Sequence, residues 1–549
     1  MANRAAKLLL QIALAAVVLA ALPYKLFELD RYFVPKELVL HIVALVFAAI
    51  LILRRRTLRV DGVDLLLGFF LVWSAVSALF ASNHWLAQRA LGISVSGAII
   101  FWGARRIGGS GFYKPLLVAA AVATVCAAVT ALAQAYGFDT EYFSQNRAPG
   151  GTFGNRNFVA HIAAIGLPAL IWCTLTARRS LGAFVGSMGA AIVAAALVLS
   201  RSRAAWLAVA ACVVVLVLPV LASRKYWDRQ RVGGRFARLV LAMVIAGAVV
   251  TVIPNTLNWK SGSPYLDSAR GMVDYSTGSG RGRVAQYRNT LHMAEASPVF
   301  GVGPGNWPVR YADFAPAGDP SISEDGTTAN PWPSSDWVAY VAERGFVAAL
   351  ALLLTFVALF FGAFRGWRDM GGETSVDRDG TQFDRSRSIG AKDNNVKGDA
   401  VLARLVLAAT IVATLVVSAF DAVLLLAAPA LLVWTILGAS AGARRRGRDF
   451  ALSSRAWALV AGCTMLIVVA SVARSAGETR AMMMVGRGGR TAGWVSGARW
   501  DPGSYRINLK VAELYARRGK CTDATEYAQR ARGLFPNAPA PKRVLRSCR

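Results

Sequence analysis

The apolar residues of this 549-residue chain form long unbroken blocks instead of recurring at helical or strand spacing. Each block holds roughly 17 to 25 residues, which is the length that a helix needs to cross a bilayer. Only helices and closed barrels satisfy their own backbone hydrogen bonds inside a membrane. The pattern therefore predicts an all-α polytopic membrane protein with about 12–14 transmembrane helices. The predicted spans are 6–22, 37–53, 63–81, 86–103, 115–134, 158–177, 183–200, 204–223, 239–254, 337–363, 400–420, 422–440 and 455–473.

The first apolar block follows a basic start and could be a cleaved signal peptide. The residues after it, Leu22, Pro23, Tyr24 and Lys25, lack the small-residue cleavage site of such peptides. We therefore interpret this block as a membrane anchor.

The composition agrees with a membrane protein, because 55% of the residues are hydrophobic and only 17% are charged. A net charge of +30 would suggest nucleic-acid binding in a soluble chain, but much of the Lys and Arg lies in short loops between apolar blocks. If the N-terminus is cytoplasmic, the basic loops fall on the cytoplasmic side, as the positive-inside rule requires. These loops are 54–56, 105–106, 178–179, 224–238 and 444–448. The same alternation places 135–157, 200–203, 255–336 and the tail outside.

The blocks divide the chain into a transmembrane core, 1–473, and a tail, 474–549. Within the core, 364–399 is rich in Gly, Ser, Asp and Arg, which predicts a disordered cytoplasmic loop. The tail contains two amphipathic stretches that break at 518–520, and their small residues resemble one tetratricopeptide unit. Such a helix pair either presents a surface to a partner protein or caps its own membrane core.

The cysteines fall into two groups. Cys126, Cys173, Cys212 and Cys463 lie within predicted spans and are typical packing residues. Cys521 and Cys548 lie in the tail, so an extracytoplasmic tail would allow a disulfide between them. Two unpaired thiols are the alternative, since the sequence does not give their separation.

A glycine-rich outer segment contains donors for hydroxyl or phosphate oxygens. Glycine lets the backbone approach a ligand, and Asn and Arg offer fixed N–H groups. A turn before a helix has a similar pattern. The candidate ligand-binding residues here are Asn155, Arg156 and Asn157, followed within the next span by His161.

Further outer arginines are candidates for binding an anion. Arg201 and Arg203 separate two apolar blocks on the side opposite the basic loops, against the orientation rule, although snorkelling is the common reason for such residues. Arg89 lies inside a predicted span and could reach a lipid phosphate. Guanidinium groups bind phosphate bidentately, although a solvated basic loop has the same charge. The longest outer loop adds Arg281, Arg283 and Arg288.

Two acids, Asp336 and Glu343, start the next span and share one helix face, because they are seven residues apart. Either acid could accept a proton from a substrate. Asp336 could equally cap the helix, and Glu343 could pair with Arg344 or an arginine of the site.

The order of these motifs resembles the O-antigen ligase and O-antigen polymerase superfamily, which includes protein O-oligosaccharyltransferases. The resemblance covers roughly 135–350 and rests on "GGTFGNRNFVAHIAAIGLP", "SRSRAAW", "GSGRGRVAQYRNTLHMAEASPVFGVGPGNW" and "AERG". It implies an integral, multi-pass membrane glycosyltransferase in the bacterial inner membrane with its active site facing the periplasm. Such an enzyme takes a glycan from a polyprenyl (undecaprenyl) diphosphate carrier and inverts the anomeric carbon.

The resemblance also implies roles for single residues. Arg203 or Arg201 matches the family arginine after the Ser-Arg motif, and Arg283 matches the loop arginine four residues before an aromatic, here Tyr287. Both would hold the diphosphate leaving group, where positive charge replaces the divalent cation of many transferases. The sequence has no clear metal-ligand cluster, so we expect neither a metal nor another cofactor.

The family pattern places a His-Asn pair where this chain has Ser334-Ser335. Serine cannot take a proton at neutral pH, so the base would be Asp336, Glu343 or His161, with Asp336 favoured by its position at the helix start. The acceptor would be a growing glycan, the lipid A core or a protein hydroxyl. A non-catalytic component that binds a glycan lipid is the alternative, since the histidine is absent. The sequence disfavours a transporter, because no inverted repeat of broken helices is evident.

Overall fold

The computed structural model describes all residues except 1, 55–56, 260, 272–277, 324, 370–387, 443–447, 452, 488–490 and 549. Within these residues the chain forms twenty α-helices and two short strands. The helices are α1 (Ala2–Leu19), α2 (Asp30–Arg54), α3 (Gly62–Ser77), α4 (His84–Ile107), α5 (Tyr113–Ala135), α6 (Arg156–Thr176), α7 (Ser180–Ser200), α8 (Arg203–Ser223), α9 (Arg229–Val252), α10 (Pro264–Arg270), α11 (Gly278–Ala296), α12 (Trp307–Arg310), α13 (Asp336–Asp369), α14 (Ser388–Phe420), α15 (Ala427–Ala441), α16 (Ser454–Gly486), α17 (Thr491–Trp500), α18 (Tyr505–Ala516), α19 (Cys521–Leu534) and α20 (Pro539–Ser547).

The predicted all-α polytopic class is confirmed, and each predicted span coincides with one of these helices. Ten segments of the described chain are long and apolar enough to cross a membrane. One of them, His84–Ala135, contains both α4 and α5, and α15 is a shorter apolar helix. One unpredicted feature is an antiparallel pair of strands, β1 (Thr57–Val60) and β2 (Arg448–Ala451), which joins loops that are far apart in the sequence.

The segments between the helices gather into two groups at opposite ends of the bundle. At one end, Thr256 N donates to Ala135 O at 2.9 Å and Arg201 Nε donates to Ser268 Oγ at 2.8 Å. At the other end, β1 pairs with β2 and Lys114 forms a salt bridge with Asp399. This grouping agrees with the alternation of predicted loops. We call the first group the outer end, and its location outside the cytoplasm stays a prediction.

Helix α6 lies in the middle of the bundle, since 89% of its most apolar stretch is buried. Small residues allow its neighbours to approach closely. A Cβ built on Gly166 would lie 1.8 Å from the Thr124 Oγ1 atom of α5, so only glycine fits there. The outer end of α6 is therefore a fixed point around which other outer segments assemble.

The predicted disordered loop, 364–399, is described only at its two ends, both of which are helical, and the prediction of disorder for the rest stays a prediction. Helix α13 continues to Asp369 and α14 begins at Ser388, whereas 370–387 lie outside the described residues. The end of this loop is held in place because Asp399 pairs with Lys114 and its carbonyl accepts from Trp172 Nε1 at 3.3 Å.

The tail packs on the transmembrane core. Its apolar residues, among them Ala512 and Ala528, share one buried cluster with Phe27 and Val34 of the core. The tail thus caps its own membrane domain, which was one of the two alternatives. Helix α16 continues through the predicted boundary at 473 as far as Gly486.

The helix pair α18 and α19 forms where two amphipathic stretches were predicted. Gly519 adopts a φ of +71° between the two helices, which accounts for the break at 518–520. Cys521 and Cys548 form a disulfide with a Cα–Cα distance of 5.2 Å, which joins the start of α19 to the end of α20.

Candidate active site

The outer end of α6 carries the first group of candidate residues. Asn155 is the N-cap of the helix, and its side chain accepts from Asn157 N at 3.0 Å. The side chain of Asn157 donates to Asp421 Oδ2 at 3.3 Å. One turn further, His161 is fully buried, and neither ring nitrogen has a hydrogen-bond partner among the described residues. A buried ring with two unpaired nitrogens is a candidate ligand-binding group.

Asp421 lies at the break between α14 and α15 and belongs to this group. Its Oδ1 atom accepts from Ala422 N at 2.9 Å, and the residue is 8% exposed. Asp421 and Arg283 are the two charged side chains that act electrostatically on His161. Asp421 was not among the residues singled out from the sequence, although an acid between two apolar blocks was a usable signal.

Arg201 and Arg203 are held by the loop that follows α9. Arg201 ends α7 with a φ of +53°, and its guanidinium lies 4.7 Å from the centre of the Trp259 ring. Arg203 begins α8, and its Nη1 atom donates to Gly271 O at 2.7 Å. Arg156 of α6 lies over the same Trp259 ring at 5.5 Å. Trp259 therefore brings arginines from two segments together.

These arginines form a group of like charges, which we call the arginine cluster: Arg147, Arg156, Arg201 and Arg203. Burial, with the charge of Arg203, lowers the pKa of Arg201, and Asp267 opposes that shift. Within the described part of the chain, no member of the cluster forms a salt bridge. Each guanidinium keeps N–H donors beyond those used above, so the cluster can bind an anion.

Helix α11 supplies the remaining predicted arginines. Arg281 and Arg288 are exposed, whereas Arg283 is half-buried and within electrostatic reach of His161. The helix is fixed against the start of α13, because Tyr287 Oη donates to Ser334 O at 2.5 Å and Ser334 N donates to Gln286 Oε1 at 2.7 Å. Arg283 lies one turn before Tyr287, so these contacts determine its position.

Asp336 binds backbone groups of another segment through its carboxylate. It is fully buried, and its carboxylate accepts from Val423 N at 3.1 Å and from Leu424 N at 2.7 Å. These bonds tie the start of α13 to the break between α14 and α15. Ser335 caps α13, since its hydroxyl accepts from Val338 N at 3.4 Å. Both carboxylate oxygens of Asp336 therefore accept hydrogen bonds from backbone N–H groups.

Glu343 also binds backbone. Its carboxylate accepts from Gly305 N at 2.8 Å and from Trp307 N at 3.2 Å, and so it holds the turn at 301–305. Gly301 must be glycine, because it has a φ of +67° and a Cβ there would lie 2.3 Å from the Glu343 backbone. Arg344 donates to the hydroxyls of Ser74 and Ser94, and the described structure contains no salt bridge between Glu343 and Arg344.

The structure separates Arg89 from the other candidate arginines. Its guanidinium forms a bidentate pair with Glu37, with distances of 2.6 and 3.0 Å, and lies 3.8 Å from Asp30. Its charge is therefore balanced within the protein, which changes our interpretation of Arg89 as a phosphate ligand.

The described residues assemble as follows. Arg156 and His161 are five positions apart on α6, which is about 7.5 Å along the helix axis. The arginine cluster lies around Arg156, and Arg283 and Asp421 lie around His161. The arrangement offers positive charge at one edge and a carboxylate next to an imidazole at the other, which suits the departure of an anionic group and the removal of a proton.

Part of the chain matches a known protein family. Residues 188–353 match the family model described as O-Antigen ligase. The matched stretch contains Arg201, Arg203 and Arg283, together with the start of α13, whereas His161 and Asp421 lie outside it. No curated protein matches the chain.

Proposed function

Because the chain belongs to the O-antigen ligase and O-antigen polymerase superfamily, we propose that it transfers a glycan from a polyprenyl diphosphate carrier to an acceptor hydroxyl. The family match supports glycan transfer in general. The observation that carries the proposal is that the arginine cluster lies around the outer end of α6 and that the same helix carries, one turn further along, the buried His161, which has no hydrogen-bond partner among the described residues. Such a site attracts a multiply charged anion and a hydroxyl to adjacent positions.

The arginine cluster and Arg283 are the proposed diphosphate ligands. A guanidinium binds phosphate oxygens bidentately and stays charged at any working pH. Each hydrogen bond to a charged group contributes about 1.5–3 kcal/mol. Arg281 and Arg288 are exposed on the same helix and would attract the carrier before it binds. Asn155 and Asn157 orient the end of α6.

Asp421 is the proposed general base. Asp336 and Glu343 each accept hydrogen bonds from two backbone N–H groups of other segments. Asp421 accepts from only one backbone N–H, that of Ala422, and from the side chain of Asn157, and its charge acts on His161. Asp421 takes the proton of the acceptor hydroxyl, and the oxygen attacks the anomeric carbon. The bond from this carbon to the diphosphate oxygen breaks, and its electron pair leaves with the polyprenyl diphosphate. Attack from the face opposite the leaving group inverts the anomeric carbon.

The reaction would proceed without a divalent cation. The charge that grows on the leaving diphosphate lies next to fixed guanidinium groups, and preorganised charge of this kind lowers the barrier without solvent rearrangement. The enzyme would act at the periplasmic face of the inner membrane, where undecaprenyl-linked glycans await transfer. Its acceptor would be a glycan, the lipid A core or a protein hydroxyl.

Transfer by the purified full-length protein tests the proposal. With a synthetic polyprenyl diphosphate oligosaccharide and each acceptor class, we expect product in the presence of EDTA. Arg283→Ala should lower kcat/KM by about 10²–10³, as loss of one preorganised donor to a developing anion does. Arg310→Ala is the matched control, because Arg310 lies in the same outer loop and pairs with Asp313 at 2.9 Å. Equal losses in both variants would contradict the assignment of Arg283.

A second candidate function is non-catalytic binding of the glycan lipid. The observation in its favour is that Ser334 and Ser335, at the positions of the family His-Asn pair, both make structural hydrogen bonds. Binding of the carrier that depends on Arg283, with no turnover for any acceptor, would support this function.

A further inference from the structure

A cavity of ≈160 Å³ lies between the tail and the transmembrane core, and no member of the arginine cluster lines it. At about 30 Å³ for each water molecule, it holds about five waters. Drug-sized ligand pockets are larger, about 300–1,000 Å³. The cavity therefore fits one small polar group. Its walls include Asp501, Tyr505 and Phe535 of the tail, Arg474 and Glu478 near the end of α16, and Arg89 of α4.

Four polar atoms in these walls are buried without a hydrogen-bond partner in the described structure: Arg474 Nε, Glu478 Oε2, Asp501 Oδ1 and Tyr505 Oη. All four residues are at least nine-tenths buried. An unsatisfied buried polar group costs about 1–3 kcal/mol, so four of them in one place are unusual in a native structure. A ligand that both donates and accepts hydrogen bonds would satisfy them.

The charges around the cavity nearly balance. The ionised acids at and next to the cavity each form a salt bridge with an arginine: Asp30 and Glu37 with Arg89, Glu478 with Arg474, and Glu28 with Arg506. Burial raises the pKa of Asp501 to about 8, with Glu478 adding to the shift. Asp501 therefore holds a proton at neutral pH and can donate as well as accept. An anion finds no net positive charge here, and each ionised carboxylate already has an arginine partner, so the cavity suits a neutral ligand that carries hydroxyl groups.

Aromatic rings complete the walls. The rings of Tyr505 and Phe535 lie 4.8 Å apart, and Phe27 lines the cavity as well. A sugar ring combines hydroxyl groups at its edge with an apolar C–H face that packs on aromatic rings. We propose that this cavity binds one neutral sugar ring of the glycan substrate. The inference rests on the proposed function and adds a second site to it.

The position of the cavity relates it to the candidate active site. Pro331 lines the cavity, and the next residue, Trp332, packs on Phe33 at 5.1 Å and on Phe158 at 6.3 Å. Phe158 lies one turn before His161 on α6. One chain segment thus separates the cavity from the imidazole. None of the arginines that would hold the donor's diphosphate lines the cavity. The inference therefore assigns the bound sugar ring to the acceptor.

Sugar binding is tested first, independently of turnover. Glucose, galactose, rhamnose, N-acetylglucosamine and glucuronic acid are added singly at millimolar concentration to the purified full-length protein, and binding is followed by ligand-observed NMR. We expect at least one neutral sugar to bind. Tyr505→Phe and Glu478→Gln should weaken binding about threefold to tenfold, as loss of one hydrogen bond does. Glu526→Gln is the matched tail control, because Glu526 is exposed and pairs with Arg530.

Several outcomes would overturn the inference: binding of glucuronic acid alone, binding of none of the sugars, or equal binding by wild type and both cavity variants. Transfer kinetics then show whether the bound sugar ring is part of the acceptor or of the donor. An increased acceptor KM in Tyr505→Phe, with an unchanged donor KM, supports an acceptor ring, and the reverse result supports a donor ring. Sugar binding without any transfer would contradict the proposed function alone. Transfer without sugar binding would contradict the cavity site alone.

Discussion

Replacing Asp336 by asparagine distinguishes a structural carboxylate from a general base. The carboxylate accepts from Val423 N and Leu424 N in a fully buried position. Asparagine keeps one oxygen acceptor, but its amide group faces the other N–H. One hydrogen bond weakens from the charged range of about 1.5–3 kcal/mol to the neutral range of about 0.5–1.5 kcal/mol. The other is lost and leaves a buried donor unsatisfied, which costs about 1–3 kcal/mol. The expected destabilisation is about 2–4 kcal/mol.

The assay compares stability and turnover in the same preparation. Thermal unfolding in detergent should show a lowered midpoint for Asp336→Asn, whereas turnover per folded molecule at low temperature should stay within about threefold of wild type. Loss of a general base would instead lower turnover by about 10²–10⁴. The control is Asp139→Asn, since Asp139 is exposed and accepts from Gln145 Nε2 at 2.7 Å. An unchanged midpoint with a loss of 10² or more, restored by no change of pH, would refute the structural role.

Four further predictions concern single side chains. Asp421→Asn should lower turnover by about 10²–10⁴, and retained turnover would exclude it as the base. Glu343→Gln should lower the unfolding midpoint, with about 2–4 kcal/mol lost at its two backbone contacts, and an unchanged midpoint would contradict this role. Arg203→Ala should weaken binding of a polyprenyl diphosphate about tenfold or more, measured by titration at fixed salt, and unchanged affinity would remove it from the site. The pKa of Asp501 is raised by burial from 3.8 to about 8, so the folded protein binds more protons than the unfolded chain across this window. The unfolding midpoint should therefore fall as pH rises from 4 to 8, less steeply in Asp501→Asn, and equal slopes would contradict the shift.

The apolar blocks predicted the helices well because membrane spans need length and apolar character, which are local properties of the sequence. The pairing of β1 with β2 was not predictable in the same way. Each strand has only four residues, and most of the chain lies between β1 and β2 in the sequence. Contacts of this kind depend on how the helices pack, which the pattern of apolar residues does not encode.

The candidate site was predictable only where a residue stands out in the local sequence. Arg201 and Arg203 stand out because they lie on the side opposite the basic loops, and the structure places them together with Arg156. The environment of Asp336 depends on the break between α14 and α15, which lies 87 residues away in the sequence. The salt bridge between Arg89 and Glu37 depends on how α2 packs against α4. Helix α2 begins at Asp30, so Glu37 is a helical residue that can face Arg89.

The most direct test of the central claim follows both products of one reaction. Purified protein, a polyprenyl diphosphate oligosaccharide and the three acceptor classes are incubated with EDTA, and mass spectrometry measures the released polyprenyl diphosphate and the extended acceptor. The proposed mechanism predicts equal amounts of the two products with at least one acceptor, and formation of both about 10²–10³ times slower in Arg283→Ala. Binding of the carrier without either product, for every acceptor, would contradict the claim that this protein is a glycosyltransferase.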